Sequence, residues 1–233
     1  MIERKRQLLD AIRLGCRTAG VAHLSGRVQA ADLTSIHALE RSGFELIDGI
    51  QTFTLPAEDF PKTSPQCPPG VRIGEFEAWQ MEGVLAIAKS AYRFDRFHAD
   101  PALPAGAADQ LHEDWLKNSC RGQAADFVMV ATREEEVLSF VTVKYDSALR
   151  ARNGGRLATI VLVATAAAGR GQGIAKATTL AVLSRLRKDG AAAVQVGTQL
   201  SNIPAGRLYE SCGFRLAGST LTFRTLIVEE HCR

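Results

Sequence analysis

The sequence lacks any apolar run long enough to cross a membrane, and it lacks an N-terminal secretion signal. Its first ten residues are charged throughout, and none of its 233 residues lies in a stretch approaching the roughly 18 uncharged apolar residues of a membrane span. The five cysteines are odd in number and widely spaced, with no C-x-x-C pair, which argues against both a disulfide framework and a zinc site. We therefore expect a soluble cytoplasmic protein with reduced cysteines, no membrane association and no metal.

The sequence also has little excess charge. The formal net charge is only +3 and there is no long run of Lys and Arg, so the chain lacks the electrostatic footprint of a nucleic-acid-binding protein. Apolar residues make up 46% of the chain and charged residues 23%, the balance of an ordinary globular protein. We therefore expect no nucleic-acid partner. A basic pocket for an anionic substrate and a homodimer both stay open.

A glycine-rich segment, Ala168–Ala175, separates an apolar run from a helical pattern. The apolar run Leu157–Val163 predicts a central strand, and apolar residues at helical spacing predict a helix from Ile174. Gly171 and Gly173 place no Cβ between the backbone and a ligand, and the first N–H groups of a helix are free to bind phosphate. A Gly-x-Gly sequence before a helix is weak evidence alone, so it indicates a phosphate site only in combination with a second motif.

Such a motif, Asn202–Phe214, comes after one predicted helix and one predicted strand, with the pattern Asn-x-x-Ala-x-x-x-Tyr-x-x-x-Gly-Phe. The loop and this motif together resemble the GNAT superfamily of acetyl-CoA-dependent N-acetyltransferases, over residues 72–228. The resemblance implies an α/β fold with a mixed central sheet flanked by helices, and an acyltransferase activity with acetyl-CoA as donor. After residue 70 the patterns predict strand, helix, hairpin, strand, loop, helix, strand, helix and strand, which is the order of that fold.

The same resemblance assigns roles to individual positions. It implies that the loop holds the CoA pyrophosphate, that the strand before it pairs with the pantetheine arm, and that Tyr209 protonates the departing thiolate. A phenol with an ordinary pKa of about 10 is able to protonate a thiolate whose pKa is about 8.5 once both are desolvated. The expected cofactor-binding residues are Leu162, Val163, Arg170, Gly171, Gln172, Gly173, Ile174, Ala175 and Asn202.

Two features of the chemistry are less well defined. No general base stands out, and His98, His112, Glu113 or a chain of water molecules are the candidates. Cys212 lies beside a predicted C-cap glycine, where a small apolar filler is the simpler interpretation, so we expect direct transfer without an acyl-cysteine.

The chain repeats itself once, at a constant offset and without gaps. Residues 38–55 match residues 208–225, and each copy reads as a short helix, a C-cap glycine and a strand. The position that matches Tyr209 is Leu39, and no Gly-x-Gly loop precedes the first copy. We therefore predict a catalytically empty partial GNAT-like region at residues 1–55, which extends the sheet and shapes one wall of the acceptor site. A proline-rich linker at 56–70 and a catalytic domain at 71–228 follow it.

The acceptor is predicted from residues 90–100 and from the helix after them. This segment resembles the branch of the superfamily that acetylates TDP-linked 4-amino-4,6-dideoxy sugars. Arginines there would pair with a diphosphate and aromatic rings would stack on a base or sugar. The candidate substrate-binding residues are Arg93, Arg96, Phe97 and Arg121. The alternatives are an N-acetyltransferase of a protein or another small amine, and a non-catalytic acyl-CoA sensor.

Overall fold

The computed structural model describes residues 2–63, 66–91, 97, 100–104, 106–150 and 154–227, the side chains of 147–150 excepted. In chain order its helices and strands are α1 Ile2–Thr18, β1 His23–Gln29, α2 Leu33–Arg41, β2 Glu45–Pro56, β3 Val71–Glu75, α3 Met81–Ala91, α4 Ala107–Cys120, β4 Phe127–Arg133, β5 Glu136–Arg150, β6 Arg156–Thr165, α5 Ile174–Lys188, β7 Ala191–Gln199, α6 Ile203–Ser211 and β8 Arg215–Leu226. The chain forms two compact units. One comprises the described parts of Met1–Gln51 and Gly218–Arg233, and the other is Thr52–Ala217.

The larger unit is a mixed sheet covered by helices on both faces. Its strands lie in the order β7-β6-β5-β4-β3, antiparallel throughout except for the parallel pair β6 and β7. On one face α3 and α4 bury apolar side chains such as Val84 and Leu116 against Phe140. On the other face α5 and α6 bury Val182 and Tyr209 with residues of the central strands. The predicted α/β fold is confirmed, and the element order agrees with the prediction except that a second helix, α4, lies between α3 and the hairpin.

The smaller unit contains two helices and the antiparallel pair β1 and β8, which runs from His23 opposite Leu226 to Gln29 opposite Thr220. Its core joins Ile36, Leu39 and Phe44 to Phe223. Strands β2 and β8 each begin in one unit and end in the other. The end of β8 thus pairs with a strand of its own chain.

The internal repeat is structural as well as sequential, and it is longer than the sequence alone indicates. Helices α2 and α6 begin and end at matching positions of the repeat, and so do strands β2 and β8. The first helices of the two copies, α1 and α5, are also followed by matching glycines, Gly20 and Gly190, with φ of 67° and 70°. We call α1-β1-α2-β2 the N-terminal copy and α5-β7-α6-β8 the C-terminal copy. One four-element scaffold is therefore used twice.

Two further features bear on function. The proline-rich segment 56–70 is anchored to the larger unit, because Phe60 is buried in its core and the carbonyl of Pro61 accepts a hydrogen bond from Arg187. Within the described ranges, no helix has both the length and the apolar character needed to span a bilayer. Those same ranges contain no group of three or more metal-ligating side chains.

Candidate active site

The site is built where two parallel strands diverge. Strands β6 and β7 are paired only from Arg156 opposite Ala191 to Ile160 opposite Val196, whereas β6 stays paired with β5 as far as Thr165. Val161 is an extra residue in the ladder with β5, and such a bulge bends the strand that carries it. Beyond Val161 one edge of β6 therefore faces an opening between the strands.

The bulge decides which backbone groups face this opening. The N–H of Leu162 donates to Thr142 Oγ1 at 2.9 Å, and the carbonyl of Ala164 accepts from Ser139 Oγ at 2.9 Å, so both residues direct these groups towards β5. Because polar groups alternate along a strand, the N–H and C=O of Val163 point to the opening. Of the two predicted strand positions, Val163 thus offers its backbone to a ligand, while Leu162 is buried and already bonded.

Charged and aromatic side chains contact one another at the end where β6 and β7 are paired. Tyr145 Oη donates to Asp189 Oδ2 at 2.7 Å, and Arg185 Nε contacts both oxygens of that carboxylate at 3.0 Å. The guanidinium of Arg156, the first residue of β6, lies 3.8 Å from the centre of the Tyr145 ring. These contacts fix the paired ends of β6 and β7, so the opening is at their carboxyl ends.

The glycine loop lies at the open end. Gly171 and Gly173 have φ of 73° and 76°, and a Cβ at either position would meet nothing within 4 Å, so both face open space. Gly173 caps α5 without a side-chain bond, and Ile174 is fully buried, so this part of the loop presents backbone N–H groups to solvent. Gly169 differs, because its Cβ would lie 3.3 Å from the Leu138 carbonyl, which makes it a packing residue. The loop therefore forms a cradle of amides at the positive end of a helix.

Two polar side chains brace this loop. Arg170 Nε donates to the carbonyl of Thr165 at 3.3 Å. Gln172 Nε2 donates to the carbonyl of Ala168 at 2.6 Å, and Gln172 Oε1 accepts from Arg133 Nη2 at 2.7 Å. Sequence reasoning did not identify Arg133, which lies 39 residues before Gln172 and belongs to no motif. It ties the β4–β5 turn to the loop.

Helix α6 brings the second motif to the same edge. Helices α5 and α6 follow the parallel strands β6 and β7, so their N-termini meet at the carboxyl edge of those strands. Asn202 caps α6, its Oδ1 accepting the N–H of Ala205 at 3.2 Å. In the described part of the chain its amide nitrogen bonds to no other group, so it is able to donate to a ligand.

Tyr209 lies seven residues further along α6, about 10 Å from Asn202 along the helix axis. Its side chain is only 4% exposed and packs between the rings of Phe53 and Phe214, at centroid distances of 5.8 and 5.9 Å. Burial raises the pKa of the Tyr209 hydroxyl above its usual value, so the phenol keeps its proton at neutral pH. No group in the described part of the chain bonds this hydroxyl. It is available as a proton donor.

Two cysteines that are partly or fully buried, Cys120 and Cys212, are poor nucleophiles. Burial raises the pKa of the Cys212 thiol to about 11, and a hydrogen bond with Ser211 and the positive charge of Lys176 offset this only in part. Burial also raises the pKa of Cys120 to about 11. A nucleophilic cysteine needs a lowered pKa, so neither thiol has the character that an acyl-enzyme intermediate requires.

The proposed bases are constrained by their partners. Glu113 forms ion pairs with Lys117 at 2.6 Å and Lys89 at 3.6 Å, and the bond from Lys117 lowers its pKa, which weakens it as a base. His112 is buried, and its Nδ1 donates to the carbonyl of Ala108 at 2.8 Å. A carbonyl can only accept, so Nδ1 carries a hydrogen. His98 lies outside the described residues.

The predicted acceptor residues are only partly placed. The Phe97 ring lies edge-on to the His112 ring, with 6.3 Å between the ring centroids. Arg121 is exposed just beyond the end of α4. Nine helical positions separate Arg121 from His112, which Phe97 contacts, and this corresponds to a rise of about 13 Å along the helix axis. Arg93 and Arg96 lie outside the described residues.

A cleft of about 480 Å³ lies beside the residues that precede the loop, on the α3 side. It is lined by Trp79 and by the carboxylates Glu82, Glu135 and Glu136. These carboxylates would repel phosphate groups, so the loop amides are the better place for a polyphosphate.

The chain is similar to proteins of known families. Residues 82–214 match the model of the acetyltransferase (GNAT) family. The chain is 26% identical over 189 residues to the spore coat polysaccharide biosynthesis protein SpsD of Bacillus subtilis, covering 81% of this chain and 61% of that protein. It is 30% identical over 163 residues to the mycothiol acetyltransferase of Brachybacterium faecium, covering 66% of this chain and 44% of that protein. The chain therefore spans less than two thirds of the length of either relative.

Solved structures agree on the fold. A tandem GNAT protein from the clavulanic acid biosynthesis pathway, determined without acetyl-CoA, superposes with a TM-score of 0.71 at 13% identity, over 97% of this chain and 70% of that one. Its tandem arrangement parallels the internal repeat found here. The family match covers more than half of the chain, and it includes the opening strand, the glycine loop and Tyr209. The chain belongs to the acetyltransferase (GNAT) family.

Proposed function

We propose that this enzyme transfers an acetyl group from acetyl-CoA directly to the amine of a small molecule, as an N-acetyltransferase. The observation that supports this most directly is the cradle of loop amides at the open end of β6 and β7. Gly171 and Gly173 lie in the left-handed region and leave open space where side chains would stand, which suits a pyrophosphate. The residues present therefore fit the cofactor that the family uses.

Each residue of the site then has a role in the proposal. The amides of Gly171, Gly173 and Ala175 bind phosphate oxygens, with Arg170, Gln172 and the buried Ile174 holding the loop in place. The backbone of Val163 and the amide of Asn202 align the arm along the opening. Bound acetyl-CoA supplies the acyl group as a thioester, and Tyr209 holds a proton at Oη for the sulfur that leaves. Leu162 contributes by shaping the strand rather than by a free backbone group.

The state of two thiols supports direct transfer. Cys120 and Cys212 are both half-buried or buried, with pKa values raised to about 11, so neither is a thiolate at neutral pH. In the proposal the amine attacks the thioester carbon itself, with both substrates bound together. The amine has to be neutral to attack, so its proton leaves through a base or a chain of water molecules.

For the acceptor we propose an amino sugar linked to a nucleotide. The name of SpsD places that relative in polysaccharide biosynthesis. The sequence around residues 90–100 resembles enzymes that acetylate TDP-linked amino sugars, and Arg93, Arg96, Phe97 and Arg121 would contact the sugar nucleotide. The N-terminal copy, residues 1–55, would then be a non-catalytic half, and 71–228 the catalytic domain after the 56–70 linker.

A panel of acceptors tests this proposal. Release of free thiol from acetyl-CoA would be followed with TDP-linked amino sugars, polyamines and lysine peptides, and acetyl-CoA binding would be measured by calorimetry in parallel. We expect turnover on the sugar nucleotides, with kcat/KM at least about tenfold above the other amines. Turnover on lysine peptides alone would favour a protein acetyltransferase. Binding without turnover on any amine would favour an acyl-CoA sensor.

A further inference from the structure

Thr198 lies at a point of β7 that borders the opening. Strand β7 is paired with β6 only as far as Val196, and it continues as a strand to Gln199. Thr198 belongs to these last three residues, yet its side chain is only 4% exposed. Because side chains alternate along a strand, Thr198 lies on the same face as Val194 and Val196, which pack in one core cluster with Tyr209.

Helix α6 carries Tyr209 back towards this threonine. Residues 200–202 join β7 to α6, a turn short enough that the helix returns along the strand it follows. Tyr209 is six residues into α6, about 9 Å from the start of the helix, and Val196 is three residues, about 10 Å, from the end of β7. Side chains on a helix lean towards its N-terminus. The ring of Tyr209 therefore leans from the level of Val196 towards that of Thr198.

The N-terminal copy shows that these two positions are neighbours in this scaffold. In the alignment of the copies, Thr198 corresponds to Val28 and Tyr209 corresponds to Leu39. Val28 packs on the cluster of buried residues that contains Leu39. Two apolar core positions of the first copy thus carry hydroxyl groups in the second.

A third position changes in the same place. Ile36 is buried in that cluster of the N-terminal copy, and its counterpart in α6 is Gly206, which is also buried. The side chain that fills this place in the first copy is therefore absent from the second, on the helix that carries Tyr209. Such changes weaken a core, because a buried polar group costs free energy unless it is hydrogen-bonded. The loss of bulk and the gain of two hydroxyls indicate a place for chemistry.

The two hydroxyls have no partners within the ranges that the structure describes. There the side chain of Thr198 makes no hydrogen bond, and neither does Tyr209 Oη. A threonine hydroxyl is able to donate, whereas a phenol that has given up its proton can only accept. Burial raises the pKa of Tyr209, so the phenolate that forms on proton transfer needs a donor beside it.

We propose that Thr198 is a positioning residue for Tyr209, a role that rests on the acetyl-transfer function proposed above. The hydroxyl of Thr198 donates a hydrogen bond to Tyr209 Oη while that oxygen passes its proton to the departing sulfur. The C–S bond breaks as the C–N bond forms, and the proton that the amine releases restores the phenol through water. Thr198 keeps its own proton throughout.

Returning this threonine to the residue of the N-terminal copy tests the role. Thr198→Val keeps the shape of the side chain and removes the hydroxyl. We expect kcat to fall by about 10-fold or more, with the Kd of acetyl-CoA unchanged, because a hydrogen bond to a developing charge is lost. Thr198→Ser keeps a hydroxyl and should retain most of the turnover. Thr132→Val is the matched control and should leave turnover unchanged, since Thr132 is 7% exposed but lies in β4, which does not border the opening.

The free enzyme gives a readout that does not depend on turnover. A buried hydroxyl without a partner destabilises the fold, so Thr198→Val should raise the midpoint of thermal unfolding by about 2 to 4 °C. A threonine with a purely structural role would give a lower midpoint instead. In the Tyr209→Phe background, Thr198→Val should cost no further turnover, because the oxygen that it serves is absent.

The outcomes distinguish the role of Thr198 from the acetyl-transfer function. A natural sequence that acetylates no amine would overturn both. Turnover that Thr198→Val leaves unchanged would overturn the role of Thr198 alone. So would a lower unfolding midpoint for Thr198→Val, or an equal loss of turnover in the natural and Tyr209→Phe backgrounds.

Discussion

The two copies of the four-element scaffold differ at the N-termini of their second helices, α2 and α6. In the N-terminal copy, Asp32 caps α2, and its carboxylate is held by Ser35 and by Lys5 Nζ at 3.0 Å. In the C-terminal copy the corresponding positions are Asn202, Ala205 and Ala175. The cap bond to the backbone is the same in both copies, but the cation and the hydroxyl are gone.

This comparison shows how different side chains on the same backbone give either a structural contact or an open space for a ligand. Lys5 joins α1 to α2 in the first copy, while in the second copy the same place is left open beside the glycine loop. Leu39 is a core residue in the first copy, and Tyr209 brings a hydroxyl to that position in the second. The proposed ligand site therefore depends on the cation and hydroxyl that the C-terminal copy lacks as well as on the tyrosine that it adds.

The largest expected effect comes from returning Tyr209 to an apolar residue, as in the N-terminal copy. Tyr209→Phe removes the proton donor and keeps the ring between Phe53 and Phe214. We expect kcat to fall by about 100-fold or more, because a general acid contributes about 10² to 10⁴ in rate, with the Kd of acetyl-CoA unchanged. Steady-state kinetics and calorimetry measure the two quantities.

Cys212→Ala, at the C-cap of the same helix, is the control for that variant. Turnover should be nearly unchanged, because the thiol is protonated and takes no part in direct transfer. A fall of several orders of magnitude in Cys212→Ala would instead indicate an acyl-cysteine.

A smaller effect is expected from closing the site with the side chains of the N-terminal copy. The triple variant Ala175→Lys, Asn202→Asp and Ala205→Ser recreates the ion pair between α5 and α6. We expect the Kd of acetyl-CoA to rise by about 10- to 100-fold, because the new ion pair fills the space between the starts of α5 and α6 and the amide donor of Asn202 is lost. Thermal unfolding should show that the variant is folded. An unchanged Kd would mean that the cofactor does not use this space.

The reciprocal change concerns stability and has the smallest effect. The hydrogen bonds from Ser35, together with the contact with Lys5, lower the pKa of Asp32 to about 2. Its carboxylate stabilises the fold above the unfolded pKa of about 4, and this contribution is lost as the pH falls towards 2. Asp32→Asn should therefore be less stable than the natural sequence at pH 6, with a difference that shrinks below pH 4. Urea unfolding measures this, and a double-mutant cycle with Lys5→Gln isolates the ion pair.

Much of the fold is encoded locally and was therefore predictable. Gly43 and Gly213 end their helices with φ of 71° and 94°, and each is followed by a phenylalanine that packs back on the core, as the repeat indicated. Gly171 and Gly173 likewise lie at the start of α5 as predicted. These features depend on residues a few positions apart.

The contacts that shape the opening depend on distant residues and escaped prediction. Thr142 bonds the N–H of Leu162, and Arg133 bonds Gln172, across 20 and 39 residues. The sequence carries no periodic signal for a bulge at Val161 or for a side chain that reaches across strands. The division of β2 and β8 between the two units is equally invisible in their alternating patterns.

The short parallel ladder between β6 and β7 also limits how far a ligand is able to enter. Pairing stops at Ile160, and the glycine loop begins after Thr165, so the open edge from Val161 to Thr165 is about 13 Å long. On the other side of Val161, β6 is paired with β5 along one edge and with β7 along the other. A linear arm that enters from the loop would stop where this pairing begins. In the proposed reaction this paired backbone would be a fixed stop for the arm of the donor, and the contacts of Tyr145 with Asp189 and Arg156 hold it in position.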